Sequence, residues 1–358
     1  MTETRPVNRP AIEIAGRKIG ADHPPYVICE MSANHNGSLD KALEIIDAAA
    51  TTGCDAIKLQ TYTADTITLN SNDEAFRIKG GLWDGRTLYD LYEEAHTPWD
   101  WHKALFDRAA GHGITMFSSP FDTTAVDLLM DLNAPAFKIA SFEVIDLPLI
   151  RYVAATGKPM IISTGMANDE EIEEAAQAAR DGGCSDFALL HCVSGYPAPA
   201  ADYNLATIPD MARRWGVPVG LSDHTLDNTT AIASAALGAS VIEKHFTLDR
   251  SGGGPDDSFS LEPTEFTQLC TGARTAWEAV GRVDYGRKSS EVGNVTFRRS
   301  LYFVRDLAPG DVVTAEAVRS VRPGHGLPPK HTDAVIGKRV TRAIKANTPT
   351  SWDVLEEA

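Results

Sequence analysis

Eight short apolar runs, each followed by a polar cluster and an amphipathic stretch, recur along the first 280 residues: 26–30, 56–60, 114–118, 136–141, 160–164, 187–191, 217–222 and 240–245. Runs of this length separated by helix-like segments predict strands alternating with helices and a parallel sheet. Helical periodicity is clearest over 39–53, 168–183 and 262–281. In the second stretch Asn168 is placed to cap, acidic residues fill the first turn, and Gly182 and Gly183 end it. Eight units point to a closed (β/α)8 TIM barrel over an open doubly wound sheet.

Two segments break the pattern. Residues 61–101, between the second and third runs, form a long insertion carrying Trp83, Tyr89, Tyr92 and Trp99. Its aromatic content argues against disorder and for a lid or substrate-contacting segment, with a structural subdomain as the alternative. Past residue 282 the chain becomes polar over 283–295, a predicted linker. A β-rich module follows over 296–358, with turns at Pro309-Gly310, Pro323-Gly324 and Pro328-Pro329. The predicted organisation is a barrel over 1–282, the linker, and this small domain, which needs a partner surface for much of its stability.

Composition narrows the function. Of 358 residues, 43% are hydrophobic and 23% charged, enough to bury a large core. The formal charge of −16 argues against nucleic acid as a partner, although a local pocket can still be positive. No run approaches a membrane span, and MTETRPVNRP lacks the apolar segment of a signal peptide. The five cysteines form no CxxC pair and read as reduced, so a cytoplasmic location is expected.

Nearly every apolar run finishes in polar residues: Glu30, Lys58 and Gln60, Ser118 and Ser119, Lys138 and Ser141, Ser163, His191, Ser222 and His224, and His245. In a barrel these ends converge on one face, where active sites sit. At any single position a strand-terminal cap is the plainer explanation; repetition at eight ends favours a site. His224 and His245, on adjacent units, are candidate ligands of a divalent metal. Glu30 and Asp256 could complete its shell through water or hold sugar hydroxyls. Lys58, Lys138, Ser119, Ser141, Ser163 and Ser222 form a donor set suited to a phosphate and a carboxylate together. Either lysine could instead form a Schiff base, in which case the metal pair would be redundant. Glu143 is a candidate acid or base, or else a solvated loop carboxylate. No P-loop, GxGxxG or GxSxG motif occurs, and Gly252-Gly253-Gly254 reads as a flexible gate.

The motifs ICEMSANHNGSLDKAL (28–43), DAIKLQTY (55–62), FSSPFD (117–122), FKIASFEVIDLPLI (137–150), IISTGM (161–166), LLHCVSGYP (189–197), GLSDHT (220–225) and VIEKHF (241–246) closely resemble the sialic acid synthase family. The final module is similar to that family's antifreeze-like (SAF) domain. The resemblance implies condensation of phosphoenolpyruvate with an open-chain amino-sugar aldehyde. It also implies manganese or magnesium held at His224 and His245. Phosphoenolpyruvate would then lie on Lys58, Ser119, Lys138, Ser141, Ser163 and Ser222, with Glu143 as the catalytic glutamate. Glu30, Gln60, Tyr196 and Asp256 match sugar-side positions. Family members are domain-swapped homodimers, and Arg322 matches an arginine that reaches the partner's sugar.

Ser194 departs from the family's pattern, standing where an asparagine binds phosphate. The insertion and the loop at 252–263 look like the pseudaminic branch, whose acceptor is a 2,4-diacetamido-2,4,6-trideoxy sugar. Apolar and aromatic lining would suit its methyl and acetamido groups. N-acetylneuraminate or legionaminate synthesis is the nearest alternative. A class II type aldolase would release no phosphate, and a carbohydrate- or ice-binding protein would leave the polar rim unexplained.

Overall fold

A computed structural model describes residues 10–356. All of MTETRPVNRP except Pro10 lies outside the described residues. By internal contacts the chain divides into two compact units, one ending at Gly281 and one beginning at Arg282.

The first unit opens with a hairpin, β1 (Ala11–Ile14) and β2 (Arg17–Gly20). Eight parallel strands then close into a barrel: β3 (Tyr26–Glu30), β4 (Ala56–Thr61), β5 (Thr115–Pro120), β6 (Phe137–Ile139), β7 (Met160–Ser163), β8 (Phe187–Cys192), β9 (Val219–Asp223) and β10 (Val241–His245), with β10 paired to β3. The period of two along each strand builds two cores. Tyr26, Ile28, Ala56, Phe117, Ile161 and Leu190 pack inside the barrel, where Ile12, Ile14 and Ile19 of the hairpin join them. Val27, Ile57, Phe137, Ile162, Leu189 and Ile242 lie in the layer shared with the helices.

The predicted helices form at Leu39–Thr52, Asp169–Asp181 and Pro263–Val280. Ser38 caps the first by accepting from the Lys41 N–H, and Gly53, at φ 83°, ends it in the left-handed region. Asn168 and Glu171 form a capping box on the second. None of the described helices is long and apolar enough to cross a membrane.

The insertion is ordered into helical pieces, Ala64–Ile67, Glu74–Phe76, Leu88–Ala95 and Trp99–Trp101. Between the second and third of these runs a short hairpin, in which Arg77 pairs with Thr87 and Ile78 with Arg86.

In the second unit β11 (Ser300–Phe303) lies between β12 (Val318–Val321) and β13 (Thr348–Pro349), over a core that includes Leu301, Phe303, Val313, Val335 and Val340. The segment read as a linker runs into a 3-10 helix, Ser289–Phe297, with no buried residue. Lys288 and Glu291 cap it, and its i to i+3 bonds need no apolar face, so hydrophobic periodicity gave no sign of it.

Candidate active site

The carboxyl ends of the barrel strands are the place where a parallel barrel gathers chemistry. Strand alternation decides which polar side chains enter. Residues in step with the inner core, such as Ile28, Leu190 and Val241, are followed two positions later by Glu30, Cys192 and Glu243. On the same parity stand Lys58, Lys138, Ser222, His245 at the last position of β10 and, just past the end of β9, His224.

A buried ionic chain crosses the floor of this rim. Lys138 Nζ donates to both Glu243 oxygens at 2.7 and 3.0 Å, and Ser222 Oγ donates to Oε1 at 3.1 Å. Lys58 Nζ lies 3.8 Å from Glu243, 2.6 Å from Glu30 and 3.3 Å from Ser119 Oγ. Gln60 Nε2 donates to Glu30 at 2.9 Å and to Ser32 Oγ at 3.0 Å, and Ser32 Oγ donates to Asp256 at 2.5 Å. Both lysine side chains are at most 4% exposed. Burial pushes Lys138 below its usual range despite Glu243. For Lys58, burial is outweighed by Glu243 and Glu30, which hold it above. Burial also favours the neutral form of Glu243, but the two ammonium groups outweigh it and hold the carboxyl low. Paired charges of this kind are retained at functional sites more readily than in plain cores.

Beside this chain the His224 and His245 rings lie 5.5 Å apart. Main-chain bonding fixes His224: its N–H donates to Tyr203 Oη at 2.7 Å, and Nδ1 sits 2.8 Å from the Val193 carbonyl. With Nδ1 bonded to that carbonyl, Nε2 carries the ring's lone pair. His245 Nδ1 is buried with no hydrogen-bond partner among the described residues, and the nearest carboxylate oxygen, of Asp256, is 3.9 Å away. Burial, reinforced by His224, pushes His245 well below its ordinary range, so its imidazole is neutral at pH 7. For His224 burial acts the same way, but the Cys192 thiol and the Val193 carbonyl outweigh it and raise the group. Two imidazoles at this spacing with an orphaned nitrogen fit one divalent ion, which would displace any proton on the ring. Among the described residues no group of three or more His, Cys, Asp or Glu forms a closed metal cage. Further positions would fall to water or substrate oxygens.

The remaining predicted residues of the first unit stand at the carboxyl ends of the barrel strands or in the segments that follow them. Ser163 Oγ is buried without a hydrogen-bond partner among the described residues, the condition of a hydroxyl facing a ligand. Ser141 Oγ accepts from the Gly165 N–H at 3.1 Å. Glu143, in the 3-10 turn after β6, has a buried, unpartnered Oε2, and burial raises its carboxyl to about 7. The Tyr196 ring packs against His224 at a tilt of 46°, with centroids 4.4 Å apart. Ser194 lies close to Ser141, since a Cβ added to Gly165 would meet both hydroxyls, at 2.3 and 2.7 Å. Arg322 belongs to the second unit, exposed just after β12.

Three details differ from expectation. His191 and Ser118, read as rim residues, have the wrong parity: His191 bonds the Tyr203 carbonyl, and Ser118 Oγ pairs with Thr61 at 2.6 Å. A 3-10 helix, Asp257–Phe259, follows the glycine run read as a free gate, and Asp257 accepts from the Gly254 N–H at 2.9 Å. Glu243, central to the ionic chain, was not picked out. It sits two residues before His245, and counting by twos would have found it, together with Cys192 and Gly165.

Residues 45–285 match the NeuB family and residues 298–356 match the SAF domain. The chain belongs to the NeuB family. It is 44% identical to the pseudaminic acid synthase of Campylobacter jejuni over 90% of this chain and 94% of that protein. It is 40% identical to the pseudaminic acid synthase of Helicobacter pylori over 94% and 99%. Among solved structures, N-acetylneuraminic acid synthetase from Leptospira borgpetersenii, in complex with citrate, aligns with a TM-score of 0.72 at 31% identity, covering 80% of this chain and 95% of that one.

Proposed function

We propose that this NeuB-family chain catalyses the pseudaminic acid synthase reaction. Phosphoenolpyruvate and the open-chain aldehyde of a 2,4-diacetamido-2,4,6-trideoxy hexose combine with water to give the nine-carbon acid and phosphate. The observation that carries the reading is the unbroken polar chain from Lys138 through Glu243, Lys58, Glu30, Gln60 and Ser32 to Asp256, beside the two imidazoles. It supplies cationic donors for an enol phosphate at one end and sugar-side carboxylates at the other.

Lys58 and Lys138, with Ser119, Ser141, Ser163 and Ser222, bind the phosphate and carboxylate and keep them in place as charge shifts. An incoming anion competes with Glu243 for Lys138, so part of its binding energy goes into re-pairing that ammonium. Carbon 3 of the enol bonds to the aldehyde carbon, whose oxygen takes up a proton. Water adds at carbon 2, and the bond from carbon 2 to the phosphate oxygen breaks. Glu143, poised near pH 7, is suited to accept the proton of that water. Glu30, Gln60, Tyr196 and Asp256 hold and orient the acceptor. His224 and His245 would hold a divalent ion, manganese or magnesium, which supplies Lewis-acid polarisation of the aldehyde. We further place the protein in the cytoplasm as a domain-swapped homodimer in which Arg322 serves the partner's site.

Phosphate release from phosphoenolpyruvate, measured with each candidate amino sugar and with and without chelator, tests this. Turnover is expected with the diacetamido trideoxy acceptor and is lost on chelation. Turnover confined to N-acetylmannosamine would transfer the assignment to neuraminate synthesis, and condensation without phosphate release would overturn it.

A further inference from the structure

The hairpin within the insertion places one aromatic ring at the site. Ile78 and Arg86 pair across it, with N···O distances of 2.9 Å in both the Ile78 to Arg86 and Gly85 to Ile78 bonds. Gly80, Gly81 and Gly85 all take positive φ, so the tip turns tightly and presents Trp83. The indole N–H donates to the Pro255 carbonyl at 3.2 Å, immediately before Asp256. The Trp83 ring lies 5.9 Å from Tyr196, which in turn lies 4.4 Å from His224. Phe259 closes a second side, 5.4 Å from Tyr196 and 5.0 Å from His245.

We infer that Trp83 is a specificity-determining residue that recognises the deoxy end of the acceptor. The inference rests on the reading above, which puts the aldehyde at the imidazole pair. A six-carbon acceptor that starts there and runs along Tyr196 would point its last carbon toward Trp83, the aromatic neighbour of that ring. The only polar atom of the indole is already bonded to a main-chain carbonyl, so the ring offers carbon surface and no free donor. A methyl group gains contact on such a wall, whereas a hydroxyl would be desolvated without a partner. Tyr196 and Asp256 serve the hydroxyls and acetamido groups nearer the reacting end.

The test compares kcat/KM, by phosphate release at saturating phosphoenolpyruvate, for the diacetamido 6-deoxy acceptor and the same sugar with a hydroxyl on carbon 6. In Trp83→Ala the preference for the deoxy sugar is expected to fall about tenfold, the scale of one methyl contact in an apolar pocket. Trp83→Phe should retain most of it, and KM for phosphoenolpyruvate should not move in either variant. Trp83 is only partly buried, and unchanged thermal melting establishes that both variants fold. An equal loss on both sugars, or an unaltered preference, overturns the assignment to Trp83 while leaving the synthase reading intact. A wild-type enzyme that turns over neither sugar removes that reading, and this inference with it.

Discussion

Glu143 and Gly165 are the residues whose local environments make the sharpest demands. Burial raises the Glu143 carboxyl from an ordinary 4.5 to about 7, so the folded protein keeps a proton there that the unfolded chain has released. The stabilisation by that proton is complete below about pH 4.5 and is lost as pH rises through 7. Glu143→Gln should therefore abolish a decline of about 2 kcal/mol between pH 5 and pH 8, read by denaturant unfolding at the two values. Gly165 has no room for a side chain without moving the Ser141 and Ser194 hydroxyls. For Gly165→Ala the expectation is a roughly tenfold rise in KM for phosphoenolpyruvate with KM for the sugar unaltered, since the displaced groups belong to the anion end. Steady-state kinetics with each substrate varied in turn decide it. Residue types at the strand ends were legible in the sequence, but the need for glycine at 165 was not. That need comes from two serines, 24 and 29 positions away in the chain, meeting over its Cα.

At the level of elements, the outward parity of β9 and β10 does as much positional work as the inward one. Asp223 and Lys244 face each other across the two strands, Nζ to Oδ2 at 2.7 Å, with side chains 0% and 1% exposed. Lys244 also donates to the Thr225 carbonyl at 2.6 Å, and Thr225 Oγ1 donates back to Asp223 at 3.0 Å. This clasp ties the strand ends that carry His224 and His245. Asp223→Ala leaves an ammonium buried without its counter-charge and should cost about 3–5 kcal/mol. Combining Asp223→Leu with Lys244→Met should restore all but about 1 kcal/mol, because an apolar pair of similar volume avoids desolvation. Denaturant midpoints of the single and double variants give the comparison. Strands and long helices were readable from periodicity. The hairpin bearing Trp83 and the 3-10 helix at Ser289–Phe297 were not, since both are held by local hydrogen bonds and loop contacts with no repeating apolar face.

At the scale of the whole molecule, the chain consists of two units with separate hydrophobic cores. The proposed swapped dimer makes a prediction that neither unit makes alone. Arg322→Ala and Lys138→Ala subunits should each be inactive as homodimers. Equal mixing after unfolding and refolding should recover about a quarter of wild-type activity, since half the dimers are mixed and each carries one intact site. No recovery, with mixed dimers demonstrated by differential tagging, would argue for sites completed within one chain. The sequence alone determined the eight-fold alternation, the β-rich C-terminal unit, and the residue types that end the strands. These follow from the two periods, 2 and 3.6, by which strands and helices display their faces. Which of those polar residues share a space was decided only by closure of the barrel. Closure brings β10 beside β3, so that His245 aligns with Glu30, 215 positions earlier in the chain, and Glu243 lies between two lysines. Pairings so distant in sequence arise from the global packing of eight strands, which no local window of the chain contains.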